Sequence, residues 1–274
     1  MEKVLMRTIS PDDKKQIKNL FHSHYNRLYT LAVRMTGNKE DAEDILQTSF
    51  TNALSAVGNF RGDSSLFTWL YKIVYRCGIR HYQEEQKLPV TIYSEENNVA
   101  EHEVYSYINR YPACEDDEFT EMVRESCLQL FMNCMPLGLR AIFTLRVILE
   151  FSVKETAYIL DKTENAVKTG LSRARTILRD HFEGRCSLVQ PGAMCQCRTF
   201  ARHIAQSQDC IRRMPDIRII RRKEKISRTR YIKEMKSLRE IENLYRTDIL
   251  PQPYESFIEH LKSAAVSKKI SLLG

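Results

Sequence analysis

At 274 residues the chain is long enough for two small domains and an extension, and its formal charge of +7 (42 Lys and Arg against 35 Asp and Glu) favours a polyanionic partner. No apolar run approaches the roughly 18 residues of a membrane span, and the opening MEKVLMRTIS lacks the apolar centre of a signal peptide, so no membrane insertion is expected and the cytoplasm is the expected compartment. Sparse glycine and proline with little strand-like alternation predict an all-α fold.

The first predicted helix covers Asp13 to Met35, with Ile17, Leu20, Phe21, Tyr25, Leu28, Tyr29, Ala32 and Val33 on its apolar stripe and Gly37 ending it. His22 and His24 read as surface or satisfied histidines. A second helix begins near Lys39. Its apolar positions Ala42, Ile45, Leu46, Phe50, Ala53 and Val57 are preceded by Glu40, Asp41, Glu43 and Asp44 in the first turn, where the helix dipole favours anions. The pattern breaks at Gly58 to Asp63, two glycines bracketing an aromatic and an arginine, and a third helix starts near Ser64 or Ser65. It buries Leu66, Leu70, Ile73, Val74 and Cys77, while Lys72, Arg76 and Arg80 form a basic stripe with Trp69 one turn before it. Regularly spaced cations beside aromatics suit phosphates and unstacked bases.

The run D-A-E-D-I-L-Q-T-S-F followed by F-R-G-D-S-S-L-F-T-W-L-Y-K-I resembles region 2 of extracytoplasmic-function sigma factors, small bacterial subunits that direct RNA polymerase to promoters. The resemblance implies that the first of these two helices docks on core RNA polymerase through Asp44, Gln47, Thr48, Thr51 and Asn52. It also implies that the loop and the next helix hold the unpaired minus-ten strand through Asn59, Phe60, Arg61, Trp69, Arg76 and Arg80, to which the basic stripe adds Lys72. At Arg76 and Arg80 the family often carries small polar residues, so base preference does not transfer there.

Residues 88–118 gather Glu95, Glu96, Glu101, Glu103, Glu115, Asp116, Asp117 and Glu118 and are punctuated by Pro89 and Pro112. This composition predicts a flexible acidic linker, leaving residues 1–87 as the first domain and 119–183 as the second. In the second domain, two helical segments lie between Phe119 and Phe151, separated by Pro136 and Gly138. Ser152 and Glu155 then form a capping box. A helix with Val153, Ala157, Ile159 and Leu160 follows, then the turn Asp161-Lys162-Thr163 and a longer helix from Glu164 to Phe182. Asn165, Lys168, Thr169, Ser172, Arg173, Thr176 and Arg179 share its outward side, with Arg175 at the edge. Such an arrangement is a helix-turn-helix, whose second helix enters the major groove by its N-terminal half. Asn165, Lys168, Thr169 and Ser172 would face base edges, and Arg173 and Arg175 phosphates or guanines. The strings F-S-V-K-E-T-A-Y-I-L and A-V-K-T-G-L-S-R-A-R are similar to region 4 of the same family, which reads the minus-thirty-five element. Gly170 stands where the family often has a basic or bulkier residue, which predicts one missing DNA contact.

Residues 184–210 open with G-R-C-S-L-V-Q-P-G-A-M-C-Q-C-R. Cys186, Cys195 and Cys197 are grouped around a Pro-Gly turn, with His203, Cys210 or His181 available to complete a zinc or copper(I) shell. A subset of the resembled family carries a cysteine-rich tail linked to metal sensing; a reduced, metal-free structural cap fits this spacing equally. The remaining cysteines, at 77, 114, 127 and 134, read as packed thiols. From 211 to 247 there are thirteen Lys or Arg against five acids, with a helix expected from Lys223 to Tyr245 and another from Phe257 to Val266. This basic extension, 211–274, is either an added DNA, polymerase or regulator contact or a solubilising tail.

These features predict a promoter-specificity subunit whose partners are core RNA polymerase and promoter DNA, with an anti-sigma factor as a further possible partner and no cofactor required. No nucleophile with a base, no glycine-rich phosphate loop and no carboxylate cluster of metal-ligand spacing is found, so no catalytic residues are assigned. Two other accounts remain open: a stand-alone helix-turn-helix regulator with a sensor-like N-terminal half, and a metal-sensing adaptor.

Overall fold

A computed structural model describes residues 11–81, 87–206 and 238–246, all-helical apart from turns and one isolated bridge. Its helices are α1 (Pro11–Thr36), α2 (Lys39–Ala56), α3 (Leu66–Arg80), α4 (Pro89–Asn97), α5 (Glu101–Ile108), α6 (Asp117–Asn133), α7 (Leu137–Phe143), α8 (Val153–Leu160), α9 (Glu164–Phe182), α10 (Cys197–Ala205) and α11 (Leu238–Tyr245). A 3-10 turn, Val57–Asn59, follows α2, and α7 runs on into a π-helical turn, Thr144–Ile148.

Local chemistry sets most of these boundaries. Asn38 caps α2 by accepting from the Glu40 and Asp41 amides at 2.7 and 3.1 Å. Ser65 caps α3 through the Thr68 amide at 3.0 Å, and Asp116 caps α6 through Phe119 at 2.9 Å. The capping box of α8 forms as expected, with Ser152 Oγ accepting from Glu155 at 3.1 Å and Glu155 Oε2 accepting from the Ser152 amide at 2.8 Å. Asp161 ends α8 in the left-handed region (φ 52°), and Thr163 caps α9 through Ala166 at 3.2 Å.

The apolar stripes of α1, α2 and α3 meet in a three-helix unit through Phe21, Leu28, Ile45, Phe50, Leu70 and Val74. That core does not stop at α3. Ile142, Leu145, Phe151, Ile159 and Leu160 of the second helical unit belong to the same cluster, so the two units are packed together rather than strung apart. Phe151 is the wedge between them, stacked on Phe67 at 5.4 Å and edge-on to Tyr71 at 4.6 Å. Arg27 of α1 donates to the Leu149 carbonyl at 2.5 Å. Nearby, fully buried Arg34 donates to Gln129 at 3.0 Å, and Arg140 donates to the Met35 carbonyl at 2.6 Å and the Asn133 carbonyl at 2.9 Å. Gly37 (φ +74°) lies so near α6 that a Cβ there would stand 2.5 Å from Asn133 Nδ2.

Two expectations change here. The 88–118 stretch, expected as a flexible tether, forms α4 and α5. Its acids hide the apolar Leu88, Val90, Tyr105 and Ile108, all buried, and several of those acids are paired: Glu101 with Arg185 at 2.9 Å, Glu95 with Lys87 at 2.7 Å, and Asp117 with Arg198. Gly170 does not face outward. It is buried against α7, where a Cβ would come within 2.4 Å of Ile142 Cδ1, so the residue serves the α7–α9 crossing and its smallness says nothing about a DNA contact. Of the helix expected from Lys223 to Tyr245, Leu238–Tyr245 is helical and the rest lies outside the described residues, as do Cys210 and the expected helix from Phe257 to Val266.

Candidate nucleic-acid interface

The face of α2 opposite its core stripe carries Asp44, Gln47, Thr48, Thr51 and Asn52 at helical spacing. Asp44, Thr48 and Asn52 are exposed, and Gln47 and Thr51 half-buried. Thr51 turns its hydroxyl back to the Gln47 carbonyl (3.1 Å), and Asn52 reaches Cys77 Sγ at 3.4 Å, which ties this face to α3. The result is a polar face, part exposed and part tied back to the helices beneath it.

At the start of α3 the 3-10 turn leaves Asn59 and Arg61 exposed and sets Phe60 against Trp69, with ring centroids 5.6 Å apart and planes inclined at 58°. This half-buried aromatic pair can stack a base that has left its duplex. Along the same helix Arg80 is exposed. Lys72 and Arg76 are engaged by Asp161 of the helix-turn-helix turn, Lys72 through a short hydrogen bond and Arg76 at 3.1 Å. Lys72 also sits 4.3 Å above the ring of Tyr158 in α8. Burial alone would raise the Asp161 carboxyl, but hydrogen bonds and charge from Lys72 and Arg76 outweigh it and hold the group below the usual carboxylate range. Sequence reasoning missed Asp161 and Tyr158. The left-handed cap position marks Asp161 as a turn residue, and nothing in the linear pattern points it at α3.

On α9 Asn165, Lys168, Thr169, Ser172 and Arg173 all stand exposed on one side, with Val167, Ala174, Leu178 and Phe182 buried on the other. Arg175 is the exception. Its Nε donates to Glu242 of α11 at 2.5 Å, and Glu242 is itself almost fully buried. Tyr245 of the same short helix is fully buried, edge-on to Phe143 at 5.4 Å, with its hydroxyl donating to the Leu128 carbonyl at 3.0 Å and the Arg34 guanidinium 5.5 Å from its ring centre.

The cysteine segment folds against α6. Cys186 and Cys195 are joined by an isolated parallel backbone bridge, with the Cys195 amide donating to Arg185 at 2.7 Å and the Ser187 amide to Cys195 at 3.2 Å. With Cys197 and with Cys127 of α6, which the sequence pattern assigns only to the core, they line an apolar cavity of about 60 Å³. Burial pushes the Cys127, Cys195 and Cys197 thiols up and Cys186 to about 12, so all four are protonated near neutral pH. Of the expected shell, Cys186, Cys195 and Cys197 are brought to this one cavity together with Cys127. His203 stands apart beside Tyr111, 5.1 Å between ring centres, His181 packs near Phe131, and among the described residues no three His, Cys, Asp or Glu side chains are gathered in a way that could hold a metal ion. Among the described residues no helix is long and apolar enough to cross a membrane.

Residues 20–88 match the family model of sigma-70 region 2, and residues 125–178 that of sigma-70 region 4. The chain is similar to the RNA polymerase sigma-H factor of Pseudomonas aeruginosa, 28% identical over 175 residues that cover 62% of this chain and 88% of that one. It is likewise similar to the RNA polymerase sigma factor YlaC of Bacillus subtilis, 28% identical over 169 residues (62% and 93%). A third relative is the ECF RNA polymerase sigma-E factor of Haemophilus influenzae, 22% identical over 182 residues (66% and 95%). The first matched segment holds α2 and α3, and the second holds α8 and most of α9.

Proposed function

The chain belongs to the extracytoplasmic-function RNA polymerase sigma factors, which initiate transcription, and from that premise we infer how its surfaces divide the work. The exposed polar face of α2, Asp44 to Asn52, docks on core RNA polymerase. The Phe60–Trp69 pair with Arg61, Lys72, Arg76 and Arg80 holds the unpaired minus-ten strand, the rings taking a base and the cations its backbone. The N-terminal half of α9 reads the minus-thirty-five duplex through Asn165, Lys168, Thr169 and Ser172, with Arg173 and Arg175 on phosphates or guanines. No cofactor is needed for any of these contacts, and the partner polymerase sets the cytoplasm as the site of action.

The observation that supports this reading is the coexistence of two chemically different surfaces on one chain: an aromatic pair beside a cation row on α3, and an exposed polar helix-turn-helix face on α9. A stand-alone duplex-binding regulator has use for the second and none for the first. In vitro transcription tests it. Purified protein added to bacterial core polymerase on a pool of genomic fragments should give promoter-specific transcripts that require the protein. Retention of duplex fragments without transcripts, with competent core enzyme, would favour the regulator instead.

A further inference from the structure

Among the described residues, three charge pairs use cations assigned to DNA: Lys72 and Arg76 of α3 with Asp161, and Arg175 of α9 with Glu242. Asp161 sits at the turn between α8 and α9 and places both carboxylate oxygens on α3, Oδ1 on Lys72 and Oδ2 on Arg76. That is the contact a DNA phosphate would make, a bridging anion with two oxygens shared between neighbouring cations. Tyr158 beneath Lys72 supplies the flat apolar neighbour that a base or sugar would offer. The contact is backed by an apolar interface, Phe151 on Phe67 and Tyr71, and not by charge alone. On the far side of the second unit α11 performs a parallel substitution. Glu242 takes Arg175, Tyr245 fills the space between Phe143 and Phe182, and the Arg34 guanidinium of α1 closes over the Tyr245 ring. One short helix therefore touches both units at once.

This arrangement cannot span a promoter. The two elements, named for positions about 25 base pairs apart, lie roughly 85 Å apart on straight duplex at about 3.4 Å per step, whereas here the helix-turn-helix turn is in ion-pair contact with the minus-ten helix. We propose that the free chain is self-occluded: the α8–α9 unit occupies the minus-ten face of α3, with the Asp161 carboxylate standing in for a DNA phosphate on Lys72 and Arg76, and α11 latches this closed form by bridging α1 and α9. The proposal rests on the reading of α3 as the minus-ten face. Core polymerase and promoter DNA, which need the two units apart, would have to open it. The apparent affinity of the free chain for single-stranded DNA is then lowered by the fraction of molecules that are closed.

The test uses the full chain and two conservative variants, Asp161→Asn and Glu242→Gln, singly and together. Asparagine tolerates the left-handed backbone of position 161 and keeps its shape while losing the charge. Circular dichroism checks that each variant folds, and the single substitutions back each other up if the double does not. The first readout, small-angle scattering of the free protein, does not depend on what the protein does: the radius of gyration should rise from wild type to the double variant. The second is fluorescence anisotropy with a labelled single-stranded oligonucleotide without polymerase, where binding should tighten roughly threefold to tenfold despite an unchanged set of cations. A folded variant that stays as compact as wild type and binds the strand no better overturns the proposal. Expansion of the variants without any promoter-specific transcript from wild-type holoenzyme would support the closed form and remove the sigma reading of α3.

Discussion

On α3, Lys72 and Arg76 are both held by Asp161, whereas on α9 Asn165, Lys168, Thr169, Ser172 and Arg173 stand exposed and, of the residues assigned to DNA, Arg175 alone is engaged, by Glu242. The chemistry proposed for each surface would account for the difference. A duplex-reading helix discriminates through base edges, and its exposed polar side chains bind random DNA only weakly, through phosphates. An aromatic pair beside a row of cations binds any single strand, because every base has a flat face and every nucleotide a charge. On the less selective surface one acid of the chain holds two of the row's cations, whereas on α9 the base-facing residues are left exposed and an acid takes only Arg175 at the edge.

The largest effect expected from this contrast is at the aromatic pair. Phe60→Ala and Trp69→Ala should each weaken holoenzyme binding to a DNA fork carrying the unpaired minus-ten strand by about 1–3 kcal/mol, roughly fivefold to more than a hundredfold. Binding to the minus-thirty-five duplex alone should not change, and anisotropy on the two substrates separates the outcomes. Next comes Gly170→Ala. In an exposed helix this change would gain up to about 1 kcal/mol, but with Ile142 in the way it should cost about 1–3 kcal/mol through overpacking. A raised urea midpoint would show that residue 170 faces outward after all. Arg173→Ala should weaken promoter binding similarly across minus-thirty-five sequences and flatten the dependence of log affinity on log salt by about one unit if the guanidinium lies on a phosphate, while a loss confined to one base identity would mark it as a guanine reader. The smallest effect is on pH. The Asp161 carboxyl is held below its ordinary value of 3.8, so its pairing favours the closed form above that pH and is lost as the pH falls through the lower native value. With more than half of the Asp161 side chain exposed, screening keeps this contribution small. A titration of compactness by scattering should show the step in wild type and lack it in Asp161→Asn.

What the linear pattern carries, and what it hides, follows from the range of the interactions. The helix starts at Ser65, Ser152 and Thr163 are legible because a cap is satisfied within three residues. The outward row of α9 is legible because helical period alone separates it from Val167, Ala174 and Leu178. The tether at 88–118 is misread because its acids dominate composition, while Leu88, Val90 and Tyr105, too few for a clear period, find their partners from other parts of the chain. Cys127 joins Cys186, Cys195 and Cys197 across about sixty residues, and Asp161 reaches Lys72 across 89. No periodicity encodes such meetings. The neighbours of His203 are hidden for the same reason: the rings beside it are those of Tyr107 and Tyr111, more than ninety residues back in the chain.

In the proposed function one chain carries a single-strand surface on α3 and a duplex surface on α9 that act separately. Chemical footprinting of holoenzyme on a target promoter tests this most directly, with permanganate reporting unpaired thymines at minus ten and nuclease protection reporting minus thirty-five, for wild type and Trp69→Ala side by side. Loss of permanganate reactivity in the variant with upstream protection intact is the predicted result. Protection and reactivity lost together, or both unchanged, would contradict it.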